Sequence, residues 1–115
     1  MSISLYHNPR CSKSRETLAL LQQQGITPIV VEYLKTPPTR QQLLHIIQQL
    51  NIAPRDLLRR NEAEYKALNL KDTNLSDDQL IDAMLAHPRL IERPIVLANN
   101  KAAIGRPPEA VLEIL

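Results

Sequence analysis

Residues 3–15 read Ile3-Ser4-Leu5-Tyr6-His7-Asn8-Pro9-Arg10-Cys11-Ser12-Lys13-Ser14-Arg15, and their order decides the fold. Ile3 to Tyr6 alternate apolar and polar side chains, the period of a half-buried strand, and His7-Asn8-Pro9 is turn chemistry that stops it. From Ser12 the pattern becomes helical, with Leu18, Leu20 and Leu21 on one side and Gly25 as the stop. Cys11 therefore stands between a strand end and a helix start. There the first N–H groups of a helix lack backbone partners, and the helix dipole favours negative charge.

Working outward, residues 29–34 (IVVEYL) are β-branched and apolar and predict a buried strand, so the chain opens β-α-β, the unit that commonly builds a parallel sheet. Pro37-Pro38 end that strand. Thr39 and Gln42 have the spacing of a capping box for a helix with Leu43, Leu44, Ile46, Ile47 and Leu50 on its apolar face. Residues 54–60 and 62–68 predict two short helical pieces. Ser76 with Gln79 opens a helix through Leu80, Ile81, Met84 and Leu85 that His87-Pro88 ends. Pro94-Ile95-Val96-Leu97, a turn at Asn99-Asn100 and residues 101–104 predict a β-hairpin, and Pro107 opens a last helix through Val111, Leu112 and Leu115. This order is that of an α/β, thioredoxin-like mixed sheet with a helical insert, approximately residues 38–88, between the second and third strands. One domain over residues 1–115 is expected.

Composition narrows the function classes. Apolar residues make up 43% and charged residues 23% of the 115, as in a globular chain with a core of its own. No stretch approaches the roughly 20 apolar residues of a membrane helix and the N-terminal stretch lacks a signal-peptide pattern, so no membrane association and a cytoplasmic location are expected. The net charge of +2 is spread without a basic block and the chain has three Tyr, no Phe and no Trp, which together argue against nucleic acid as a partner. Most of the 14 cations are Arg, whose planar fork grips oxyanions in a way Lys does not.

Cys11 is the single cysteine, so no internal disulfide and no cysteine-rich metal site can form, and no metal is expected. A lone cysteine is ordinarily buried filler, but this one is surrounded by His7, Ser12, Ser14 and the cations Arg10, Lys13 and Arg15, groups that lower a thiol pKa by charge or hydrogen bonding. That points to a nucleophilic thiolate at an anion seat. Ser14 stands where a Cys-x-x-Cys redox pair would place its second sulfur, so a resolving thiol must come from another molecule. Thr17 stands where a Cys-x5-Arg phosphatase loop needs arginine, which disfavours that class. His45 and His87 lie on or beside helices with no evident orienting partner and read as surface or helix-end histidines.

The strings YHNPRCSKSR, EYLKTPPTRQQL, DLLRRNEAEYKALNL, SDDQLIDAMLAHPRLIERPIV and GRPPEAVLEIL, in this order, give the chain a resemblance to the glutaredoxin-dependent arsenate reductases from end to end. The resemblance implies reduction of arsenate to arsenite, with Cys11 as the catalytic nucleophile, glutathione as co-substrate, glutaredoxin as partner and no tightly bound cofactor. It implies that Arg59, Arg93 and Arg106 bind the substrate anion near Cys11, and that His7 and Ser14 support the thiolate. It also implies a cis bond at Arg93-Pro94, as thioredoxin-like folds place a cis proline opposite the active-site cysteine. For each arginine alone, a surface ion pair is the competing reading, and Arg60 is the neighbour most easily confused with Arg59. Arg10 and Arg15 read equally as solvated or as steering anions inward. Two further functions share the fold and stay open: a glutathione-linked thiol oxidoreductase on another electrophile, and a Spx-like regulator that binds RNA polymerase, against which the missing second cysteine counts.

Overall fold

The computed structural model describes residues 2–115. They form two compact units, one from residues 2–36 and 93–115 and the other from Pro37–Glu92.

The first unit holds the sheet. Strand β1 (Ser4–Tyr6) leads to helix α1 (Ser12–Gln23) and strand β2 (Ile29–Val31), and the chain later returns as the hairpin β3 (Ile95–Ala98) and β4 (Lys101–Ile104). The strand order is β2-β1-β3-β4, parallel between β1 and β2 and antiparallel for the other two pairs. Leu5 and Val96 pair directly across β1 and β3 and are fully buried with Leu21 of α1, Ala98 and Val111. The hairpin turns at Asn99 and Asn100 with φ of 55° and 60°, the left-handed pair that a two-residue turn demands and asparagine tolerates.

β2 departs from expectation. It is three residues long instead of six, and Ile29 and Val30 are 55% and 43% exposed, so it is a sheet edge and not a buried strand. The cause is local: the Glu32 carbonyl accepts the N–H groups of Lys35 and Thr36 at 3.0 and 2.9 Å, turning the chain away, while Tyr33 is drawn into the interior. The closing helix also differs, for Pro108–Ile114 is a 3-10 helix with Pro107 as its N-cap. Along α1 the fully buried positions are Ser14, Thr17 and Leu21; Leu18 and Leu20 are only partly covered.

In the second unit, α2 (Arg40–Leu50) begins at Thr39 and α4 (Asp77–Ala86) at Ser76, each with the expected capping box complete. Between them lie a 3-10 turn at Pro54–Leu57 and the short α3 (Ala63–Ala67), and a second turn at Pro88–Leu90 follows. Leu43, Ile46, Leu57, Leu80, Met84 and Leu90 are buried at the level of a protein core, and Leu58 bridges to Ile91. Arg40 of α2 pairs with Asp78 (2.9 Å) and Asp82 of α4.

Gly105, just after β4, is required by close approach. A Cβ there would lie 2.8 Å from Pro94 Cγ and closer still to Thr17 Oγ1, both in buried residues, while the Gly105 N–H donates to the Pro94 carbonyl at 2.9 Å. Gly105→Ala is therefore expected to cost about 1 to 3 kcal/mol of stability, and combining it with Thr17→Ala should return part of that loss. Urea unfolding of the single and double variants is the measurement, and strict additivity would rule out the collision with Thr17 as a reason for the glycine.

Candidate active site around Cys11

The turn after β1 is built by its own side chains. Asn8 Oδ1 accepts the Arg10 N–H at 3.1 Å, the Asn8 carbonyl accepts the Cys11 N–H at 3.0 Å, and Arg15 reaches back from α1 to donate to the Pro9 carbonyl at 2.9 Å. These bonds set Cys11 as the N-cap of α1, with φ −92° and ψ 124°, and leave its residue 9% exposed. Burial pushes the thiol pKa up. The Ser14 N–H, the Arg93 guanidinium and the Lys13 N–H act against it and prevail, so the pKa falls below the ordinary value.

Arg93 stands two residues before β3 and Arg106 two residues after β4, so the hairpin returns both to the cysteine. Arg106 Nη2 donates to Cys11 Sγ at 3.6 Å while its Nε is anchored on the Arg93 carbonyl at 2.8 Å. The Arg93-Pro94 bond is cis, as expected; Arg106-Pro107 is cis as well, which was not. Two guanidiniums thus stand at one sulfur beside the N–H groups of the first helical turn, an arrangement suited to holding a tetrahedral oxyanion over a nucleophile.

His7 and Ser14 form a buried pair, with His7 Nδ1 2.5 Å from Ser14 Oγ and the Asn8 N–H donating to the same oxygen at 3.0 Å. Ser14 meets Cys11 through its backbone N–H while its hydroxyl faces His7. His7 is held in turn by its own N–H on the Val31 carbonyl at 2.8 Å. Burial lowers the His7 pKa, the nearby Glu32 raises it and Arg15 lowers it, and the net shift is downward, so the imidazole is neutral at pH 7.

Arg59 belongs to the other unit. Its Nη1 donates to Glu92 at 2.7 Å and its Nε to Glu62 at 3.2 Å, with Glu62 also paired to Arg89. Arg60 is exposed. Asn8 and Arg15, which hold the turn, were not singled out as structural from the sequence; Asn8 before Pro9 carries a turn signal, whereas nothing marks Arg15 as a clamp. Nor did any pattern announce Glu62 and Glu92. Among the described residues no group of three or more His, Cys, Asp or Glu side chains could hold a metal, and no helix is long and apolar enough to cross a membrane.

Fold and site together define a thioredoxin-like protein with one activated thiol at the first turn of its first helix. The ArsC family model matches residues 6–114, and the chain belongs to the ArsC family. It is 51% identical over 116 residues to an arsenate reductase of Haemophilus influenzae, covering 100% of both chains, and 54% identical over 114 residues to the uncharacterized protein YfgD of Escherichia coli K12, covering 98% of this chain and 96% of that one. Among solved structures, an arsenate reductase from Vibrio cholerae superposes with a TM-score of 0.97 at 58% identity over 100% of this chain and 98% of its own.

Alkylation of Cys11 by iodoacetamide, followed against pH, should reach half its maximal rate below the pH typical of a free thiol, and Arg93→Ala should move that midpoint up. Because the folded pKa is the lower one, the thiolate's contribution to stability is present above the unfolded pKa and is lost as pH falls through the folded value. Ser14→Ala keeps the N–H at the sulfur but strips a buried acceptor from Asn8, so it should cost about 1 to 3 kcal/mol of stability and leave the midpoint nearly in place. A midpoint indifferent to Arg93→Ala would remove the guanidinium from this account.

Proposed function

We propose that this protein reduces arsenate to arsenite, with Cys11 as the nucleophile and glutathione and glutaredoxin as the external reductants. The observation that carries the reading is the lone Cys11 sulfur, lowered in pKa, with Arg93 and Arg106 both at hand. The arsenate reductases of H. influenzae and V. cholerae, at more than half identity over the whole chain, support the choice of arsenic. A multiply charged oxyanion needs more than the roughly half-unit positive charge of a helix N-terminus, and guanidinium forks supply the rest. The family motif supports the same task for Arg59.

In this scheme Cys11 Sγ bonds to arsenic as one arsenate oxygen leaves as water. The glutathione thiolate then attacks Cys11 Sγ: an S–S bond forms, the S–As bond breaks, and its electron pair stays on arsenic, which departs as arsenite. Arsenic gains two electrons and the two sulfurs lose one each. Glutaredoxin thiol takes the glutathionyl group and frees Cys11 as thiolate. Arg93 and Arg106 favour both the oxyanion and the thiolate, which is electrostatic catalysis by preset charge. Dependence on a glutathione pool places the work in a reducing compartment, which supports the cytoplasm.

The test is steady-state arsenate reduction with glutathione and glutaredoxin. Cys11→Ser should be inactive. Arg93→Lys and Arg106→Lys keep the charge but lose the planar fork, and each should lose about tenfold to more than a hundredfold, the equivalent of a charge-assisted hydrogen bond. Arg60→Lys serves as the exposed control. Turnover in Cys11→Ser, or losses at Arg60 equal to those at Arg93 and Arg106, would refute the reading.

A further inference from the structure

A cavity of about 330 Å³ opens beside the Cys11 turn and is lined by His7, Asn8, Arg10, Glu32, Leu34 and Lys35, among others. Its floor is the turn that carries the nucleophile, for Asn8 accepts both the Arg10 N–H and the Cys11 N–H. Its far wall is the stretch where the chain leaves β2. The volume is at the lower end of small-molecule sites.

The lining is unusual in its charges. The Arg10 guanidinium has no partner among the described residues, and Lys35 has only Glu32, an open pair at 3.5 Å with side chains 79% and 42% exposed. His7, only 6% exposed, uses Nδ1 on Ser14 and has no partner among the described residues at Nε2. Leu34 adds an exposed apolar surface at the same place. The cleft thus offers two cations, one carboxylate, a neutral imidazole nitrogen and a small apolar wall.

We infer that this cleft is the binding site for the tripeptide thiol that resolves the Cys11 adduct. The inference rests on the reading of glutathione as external reductant. At neutral pH that tripeptide carries two carboxylates, at opposite ends, and one ammonium, the complement of Arg10, Lys35 and Glu32. The Lys35–Glu32 pair is solvated and worth little, so exchanging it for ligand contacts costs little. Neutral His7 presents Nε2 to a peptide group of the ligand. Arg10 adjoins Cys11 in the chain, so an end held by Arg10 lies next to the residue that the thiol must attack.

Titration of the isotope-labelled full chain with S-methylglutathione, which binds but cannot react, tests this directly. Saturable amide shifts at residues 7–10 and 32–35 are expected, weakened by added salt. Lys35→Glu and Arg10→Ala should each weaken binding about fivefold or more and raise the KM for glutathione by a similar factor, with a much smaller change in the KM for arsenate. No saturable shifts, shifts confined to a separate groove lined by Lys13, Glu16 and Glu109, or unaltered affinity in both variants would overturn the assignment. S-methylglutathione binding in the cleft without arsenate turnover would leave the site standing and remove the arsenate reading. Turnover with an unchanged glutathione KM in both variants would do the reverse.

Discussion

A cysteine at the start of a helix whose charged form is favoured there is the constraint around which the site of the first unit is built. Taking Cys11 out of water disfavours its charged form, and the fold answers with two backbone N–H groups from α1 and a guanidinium from across the sheet. The N–H groups come from local order alone: strand, turn, helix. The guanidinium requires tertiary structure, because Arg93 is far from Cys11 in sequence and arrives only when β3 pairs with β1 in the register that sets Ile95 against Tyr6. The thiolate is therefore activated only in the folded chain.

The hairpin does more than complete the sheet. β3 and β4 pair from Ile95–Ile104 to Ala98–Lys101, so the residues just outside the pairing, Arg93 and Arg106, meet at the open end of the ladder. The Arg106 Nε on the Arg93 carbonyl fixes the second guanidinium through the backbone of the first. Gly105 lets β4 pass against Thr17 and Pro94, which a side chain would prevent. Packing at a small residue thus sets the position of a charge, and loss of that approach would be felt at Arg106, the next residue, and through it at the Cys11 sulfur.

Much of this was legible in the residues, for specific reasons. Capping boxes at Thr39 and Ser76 and the left-handed pair Asn99-Asn100 are local signals with local causes, and each stands where the sequence placed it. Cys11 was legible because strand, turn and helix periods change within ten residues around it. The edge position of β2 was not, since a run of Ile and Val reads the same at an edge or a centre, and only the strand order decides it. Nor could sequence tell what each arginine meets: Arg106 reaches the Cys11 sulfur and Arg59 pairs with Glu62 and Glu92, although the side chains are the same.

Ser14 explains why one cysteine suffices only with outside help. In a Cys-x-x-Cys pair the second thiol attacks the first, but the side chain at this position is fully buried and points to His7 and the Asn8 N–H, holding the turn that carries the nucleophile. The hydroxyl accepts the Asn8 N–H and, unlike a thiol, cannot form a disulfide with Cys11. Its backbone N–H serves the thiolate while its side chain serves the turn, so a single residue stabilises the nucleophile from one side and its support from the other. The structural use of that position leaves the resolving sulfur to be supplied by a second molecule, and the turn's own charged and polar groups are then the natural surface on which such a molecule is received.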